Sequence, residues 1–164
     1  IQEKGYKIIN KDVTDIPPGE SYDAITMMDL IEHLEDPSSV LLTLKGLIGS
    51  EGELIVYTPN HNSLIVKIAH IFYKLGIKSP MENIFACTHT CFFTTKTLSD
   101  IIQKTGYEIT DIKHFHYDTN RPGQKVSLIS KIAINIIEQV GSIIGLKGFR
   151  VAIYAKKPTD GKTQ

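Results

Sequence analysis

Net charge, cysteine and long apolar runs are all scarce in this chain of 164 residues. Lysine plus arginine equals aspartate plus glutamate, 18 against 18. No overall field therefore favours a polyanion, and a nucleic-acid partner is not expected. No stretch reaches the roughly 18 to 20 uncharged apolar residues that cross a bilayer. The first residues, IQEKGYKI, lack a basic region followed by an apolar one, so the chain reads as unexported and cytoplasmic. Cys87 and Cys91 lie in CTHTC, which matches neither a disulfide framework nor a CxxC knuckle. Free thiols in a reducing compartment are expected. The length suits one domain, residues 1–164, with its own core.

What the chain does contain is an alternation of short β-rich and helical stretches. YKIIN (Tyr6 to Asn10), YDAITMM (Tyr22 to Met28) and ELIVYT (Glu53 to Thr58) read as buried strands. Asp36 can cap and Pro37 start a helix with Val40, Leu41, Leu44, Leu47 and Ile48 on one face, ended by Gly49. Thr94 or Thr95 opens another, with Leu98, Ile101 and Ile102 buried and Gly106 at the stop. Tyr107 to Phe115 and Phe149 to Ala155 read as two further strands. This order predicts an α/β domain with a mostly parallel sheet and helices on both faces.

The stretch YDAITMMDLIEHLEDP sets Asp29, Glu32, His33, Glu35 and Asp36 where the apolar strand stops. Charges are costly to bury, so the cluster belongs at an edge, a cleft or a helix start. Ligands of such sheets bind beyond the carboxyl ends of the strands, which places these acids at the expected mouth.

YKIINKDVTDIPPGESYDAITMMDLIEHLEDP, then GELIVYTPN, THTCFFTTKTLSDIIQKTGYEI and FRVAIYAKKP, resemble in order and spacing the later part of a class I S-adenosylmethionine-dependent methyltransferase. The closest likeness is to the small-molecule and cell-surface saccharide or lipid branch. The fold implied is an incomplete Rossmann-like domain with a helical cover insertion, residues 62–94 and 117–146. The family begins with a strand, a G-x-G-x-G turn and a second strand ending in an acid that grips the ribose. Neither strand precedes Ile1. Close backbone approach to the cofactor requires glycine and the ribose hydroxyls need a carboxylate, so the expectation is an N-terminally truncated domain impaired in cofactor binding.

The resemblance assigns Asp12 and Val13 to the adenine, since its amino group needs an acceptor and its ring nitrogen a donor. The plain alternative is that Asp12 caps a turn. Met28, Asp29 and Leu30 are assigned to the methionine part of S-adenosylmethionine. Glu32 and His33 match the family's E-H pair. His33 is a candidate base for an acceptor hydroxyl, and the plainer reading has the pair capping and orienting the helix that follows. In YTPN, Pro59 ends a strand and Asn60 turns the chain, which implies that Asn60 meets the acceptor and makes His61 an alternative base. His89 matches the histidine of an H-x-x-F-T stretch and is assigned to the acceptor side. Cys87, His89 and Cys91 invite a metal reading, but alternation along an extended segment is the better account, and no metal is expected. His114 and His116 share a strand face.

Leu64 to Ile77 and Val126 to Leu146 are amphipathic, and packing on the body is the plain reading. The sharper one is a lid over a greasy acceptor or a contact with a membrane surface, which Lys67 and Lys74 tolerate. Without the family's first two strands, YDAITMM becomes an exposed apolar edge. Self-association through it, a rearranged Tyr6 to Asn10 strand, or a separately encoded or removed N-terminal part would cover it. The expected function is methyl transfer from S-adenosylmethionine to a small-molecule acceptor. The alternative is a non-catalytic remnant used as a dimerisation or scaffold domain.

Overall fold

The computed structural model describes residues 12–16, 19–84, 89–119 and 127–158. The expected strand Tyr6 to Asn10 and Cys87 lie outside the described residues. In chain order the elements are β1 (Tyr22–Met28), α1 (Pro37–Leu47), β2 (Ile48–Pro59), α2 (Leu64–Lys74), α3 (Ser79–Ile84), α4 (Thr95–Lys104), β3 (Glu108–Phe115), α5 (Leu128–Ile143) and β4 (Arg150–Lys156). Short 3-10 turns at Val13–Asp15 and Ile31–His33 flank β1.

Local chemistry accounts for the helix starts. Asp36 accepts from the Ser39 N–H with Pro37 in the first turn of α1, and Thr94 forms a reciprocal capping box with Thr97 at the start of α4. Gly106, at φ +82°, turns the chain out of α4 toward β3, a conformation that costs glycine nothing. Ile48 departs from expectation. It opens β2 rather than closing α1, and its ladder is irregular, since β1 advances from Tyr22 to Ala24 while β2 advances from Ile48 to Glu53. Gly52 permits this detour, because a Cβ there would lie 2.7 Å from Ile48 Cγ2 and 2.8 Å from the Tyr22 carbonyl oxygen.

The sheet order is β1-β2-β4-β3. β1 and β2 are parallel, while β4 runs antiparallel to both β2 and β3. Three strands thus share one direction, yet the reversed β4 sits between two of them, so the sheet is mixed rather than mostly parallel. Among the described strands β1 lies at the edge, as expected.

Leu41, Leu44 and Leu47 of α1 and Leu98 and Ile102 of α4 meet Met27, Leu54, Val56, Val151 and Ile153 in the main core. Each such side chain contributes roughly 1.5 to 3 kcal/mol through burial. The opposite sheet face leaves Ala24, Thr26 and Met28 exposed and Ile55, Tyr57 and Tyr154 half-buried, so the two faces are not equally covered by helices. α2 and α5 pack on each other, with Ile65, Val66 and Ile137 meeting Phe149 in a smaller cluster. Packing on the body accounts for only part of their apolar stripes. Ile129, Ile132, Ile136, Val140 and Ile144 stay exposed, because α5 turns Ile134, Ile137 and Gly141, not these residues, toward α2 and Phe149.

Candidate functional site at the carboxyl ends of the parallel strands

Asp12, Val13 and Leu30 line one groove of about 550 Å³ that runs along β1 beside α1. Asp12 is exposed. Its Oδ1 accepts from the Thr14 N–H at 3.0 Å and from the Thr14 hydroxyl at 2.8 Å. These bonds, the backbone one foremost, hold its carboxyl below the ordinary range. Capping is thus present, and the groove position accompanies it. Met28 is 58% exposed at the end of β1. Asp29 follows at φ +49°, a left-handed conformation that aspartate tolerates better than most residues. Its N–H donates to the Tyr57 carbonyl at 2.9 Å, and its carboxylate pairs with Arg150.

Glu32 and His33 do not cap α1, which Asp36 does. They form a separate turn, and Glu32 is buried within it. The Glu32 Oε2 accepts from the Thr58 hydroxyl at 2.7 Å, and the Glu32 carbonyl accepts from the N–H groups of Thr90 and Cys91 at 2.9 Å. One residue therefore ties the turn after β1 to β2 and to the segment carrying His89. That brings the His33 and His89 rings to 4.7 Å between centroids, edge to face. Burial pushes the His89 imidazole down, against the pull of Glu32.

His61 begins the turn after β2, and its N–H donates to the Phe93 carbonyl at 2.8 Å. Its ring meets Phe92 edge to face at 4.7 Å. Burial, with some repulsion from His89, lowers its pKa to about 4. Asn60 is buried, and its side-chain amide donates to the carbonyls of Lys147 at 2.8 Å and Gly148 at 3.1 Å. Its Oδ1 accepts from the Asn62 N–H. Asn60 therefore pins the turn before β4 to the end of β2 and faces its own backbone. His114 and His116 diverge: His114 shares a hydrogen bond with the Thr95 hydroxyl, whereas His116 meets the buried Glu138 at 3.1 Å.

Two residues of this mouth carry no motif. Arg150, 6% exposed, stacks over Tyr57 with its guanidinium carbon 5.1 Å from the ring centroid. An arginine opening an otherwise apolar strand was the available signal in FRVAIYA. Thr58 offered none, since a threonine is ordinary in a strand.

A family model described as a methyltransferase domain matches residues 3–112. Two ubiquinone biosynthesis O-methyltransferases are similar. The one from Aeromonas salmonicida is 28% identical over 100 residues, which cover 60% of this chain and 40% of that protein. The one from Vibrio cholerae is 28% identical over 114 residues, covering 66% and 45%. The chain thus spans less than half the length of these curated relatives. Among solved structures, a possible histamine N-methyltransferase from Thermotoga maritima superposes at TM-score 0.60 with 16% identity, over 95% of this chain and 66% of that one. A methyltransferase from Archaeoglobus fulgidus superposes at 0.57 with 19% identity, over 94% and 69%. These likenesses carry the fold, and the match over residues 3–112 carries the family: the chain belongs to the methyltransferase-domain family, with the class I S-adenosylmethionine-dependent fold.

Proposed function

We propose that this chain supplies the acceptor side and the adenine rim of a methyltransferase that acts on an oxygen of a small, partly apolar molecule. The observation that carries the reading is the gathering of Asp29, Glu32, His33, His61, His89 and Arg150 beyond β1 and β2, beside the groove that holds Asp12, Val13 and Leu30. The relatives named O-methyltransferase favour oxygen as the acceptor atom. Exposed isoleucines of α5 favour an apolar acceptor or a membrane surface nearby.

The fit to S-adenosylmethionine is partial. Asp12 and the amide beside it suit adenine, and Met28 to Leu30 stand where the methionine part would pass. The glycines that make close approaches do so to the chain itself: Gly52 to Ile48 and Tyr22, Gly148 to His114 and Phe115. Among the described residues, these two close approaches are thus taken up by the chain's own atoms. When bound, the cofactor supplies an electrophilic methyl group. The chain's part is to align an acceptor and to receive its proton, and alignment is the larger contribution in such transfers. His61, neutral near pH 7, suits accepting a hydrogen bond from an acceptor hydroxyl, yet a ring pushed down to about 4 holds a proton poorly. His33, whose ring meets that of His89 at 4.7 Å at the same mouth, is the base this reading assigns on position.

Calorimetric titration with S-adenosylhomocysteine tests this. Weak binding by the chain that tightens when a complementary glycine-rich N-terminal half is added supports the reading. No binding in either case overturns it and leaves a second reading, a scaffold that pairs with another copy through the β1 edge, for which the exposed edge residues Ala24 and Thr26 speak.

A further inference from the structure

We infer that the cavity between the exit of β3 and helix α5 is a binding site for a small organic ammonium ion, with Glu138 as its counter-charge. α5 carries two charged residues, Lys131 and Glu138, and the fold turns both inward. They line a cavity of about 250 Å³ together with His116, Tyr117, Ile134 and Asn135. Leu128, Ile129, Ile136, Val140 and Ile143 of the same helix stay exposed. Charge turned in and isoleucine left out is the reverse of ordinary helix packing. A polar guest in the enclosed space accounts for that inversion.

Glu138 sets the sign of the guest. Its side chain is 2% exposed, and a buried carboxylate is costly without hydrogen bonds and a compensating charge. Its Oε2 accepts from His116 Nδ1 at 3.1 Å, and its Oε1 accepts from the Tyr117 N–H at 3.3 Å. A carboxylate accepts at about four positions, and these are its two bonds among the described residues, so it can take a further donor. Lys131 does not supply the charge: it stands seven positions earlier on the helix, a rise of about 10.5 Å. An anion would be repelled by Glu138, and a neutral guest would leave its charge uncompensated, whereas an ammonium group brings both charge and donors. The walls suit the carbon part of such an ion, since Tyr117 presents a ring and Ile132 and Ile134 present apolar surface. The volume lies below the range for drug-sized ligands, which limits the guest to a few carbon atoms.

The residues that build the cavity all follow residue 112, where the family match ends, so a failed S-adenosylhomocysteine titration leaves the site in place. The test titrates the full 164-residue chain with butylammonium, 1-butanol and butyrate, which share a carbon count and differ in head group. Butylammonium should give saturable shifts at the His116 ring and the Tyr117 amide, with a dissociation constant of about 1 mM or tighter. 1-Butanol should bind at least about tenfold more weakly, and butyrate should leave both signals in place. Glu138→Gln keeps the shape and one carbonyl acceptor, and should weaken butylammonium at least about tenfold. Glu82→Gln, which removes an exposed acid of α3, should not. The matched series reads the unaltered chain and decides the matter even where the Glu138 variant fails to fold. Equal affinity for amine and alcohol, shifts that spare His116 and Tyr117, or a folded Glu138→Gln chain that binds butylammonium as before would each overturn the assignment.

Discussion

Arg150, the first residue of β4, forms an ion pair with Asp29, the residue after β1, across the intervening end of β2. The contact joins the edge strand to the centre of the sheet at the mouth of the site. The Asp29 side chain is 41% exposed and that of Arg150 8%, so solvent screens the pair from one side only. Asn tolerates the φ of +49° as Asp does, which makes Asp29→Asn the clean removal of charge. It should cost about 2 kcal/mol, below the range for fully buried pairs. Asp29→Ala should cost about 1 kcal/mol more through backbone strain. Urea unfolding checks both, and equal costs for the two variants would dismiss the strain argument.

Asn60 satisfies two carbonyls and one N–H with a single amide. Asn60→Ala leaves these groups without it in a buried place, at roughly 1 to 3 kcal/mol. Asn60→Asp should be worse, since a carboxylate oxygen would then face the carbonyls of Lys147 and Gly148. A milder effect for aspartate than for alanine in thermal melts would show that the amide nitrogen is misassigned.

Much of the scaffold was legible because its signals are local. Tyr22 to Met28 is a β-rich run, Asp36-Pro37 a cap followed by a fixed φ, and Thr94 a capping residue, and each element begins where those signals stand. The rest depended on partners distant in sequence. Ile48 fits the apolar period of α1 and also a strand, and its strand pairing with Tyr22 decided between them. The isoleucines of α5 form a helical stripe whether or not anything covers it, and periodicity cannot say which. Glu32 was visible as an acid near a mouth, but its burial against Thr58 and its hold on Thr90 and Cys91 are tertiary facts. Arg150 escaped notice because arginine is ordinarily exposed.

Acid should weaken the fold through its histidines before its carboxylates titrate. The His61 pKa falls from 6.5 to about 4 on folding, so between those values the unfolded chain binds the proton and the folded one does not. The contribution is fully present above 6.5 and is lost as pH drops toward 4, at no more than about 1.4 kcal/mol per pH unit for this group. His89 and His114, also pushed down by burial, act in the same direction. Chemical unfolding at pH 7 and pH 5 should show the loss, and His61→Gln should reduce it. An unchanged difference in that variant would place the proton uptake elsewhere.

Pairing of two copies through β1 carries its own expectation. Ala24 and Thr26 are exposed on the strand that ends the described sheet, and nearby Met28 is exposed too. Hydrogen-bonding groups along such an edge recruit another strand unless charge or a bulge discourages it. The irregularity in the β1–β2 ladder falls between Tyr22 and Ala24, leaving Ala24 to Met28 in regular register. Sedimentation velocity over a range of concentrations should therefore show a reversible dimer. Ala24→Lys with Thr26→Lys places two cations on that strand away from the core, where they repel their counterparts in a second copy, and should return the chain to monomer with little change in stability. A wild-type chain that stays monomeric at every concentration would remove the dimer, and a lysine variant that still dimerises would move the interface to the exposed isoleucines of α5.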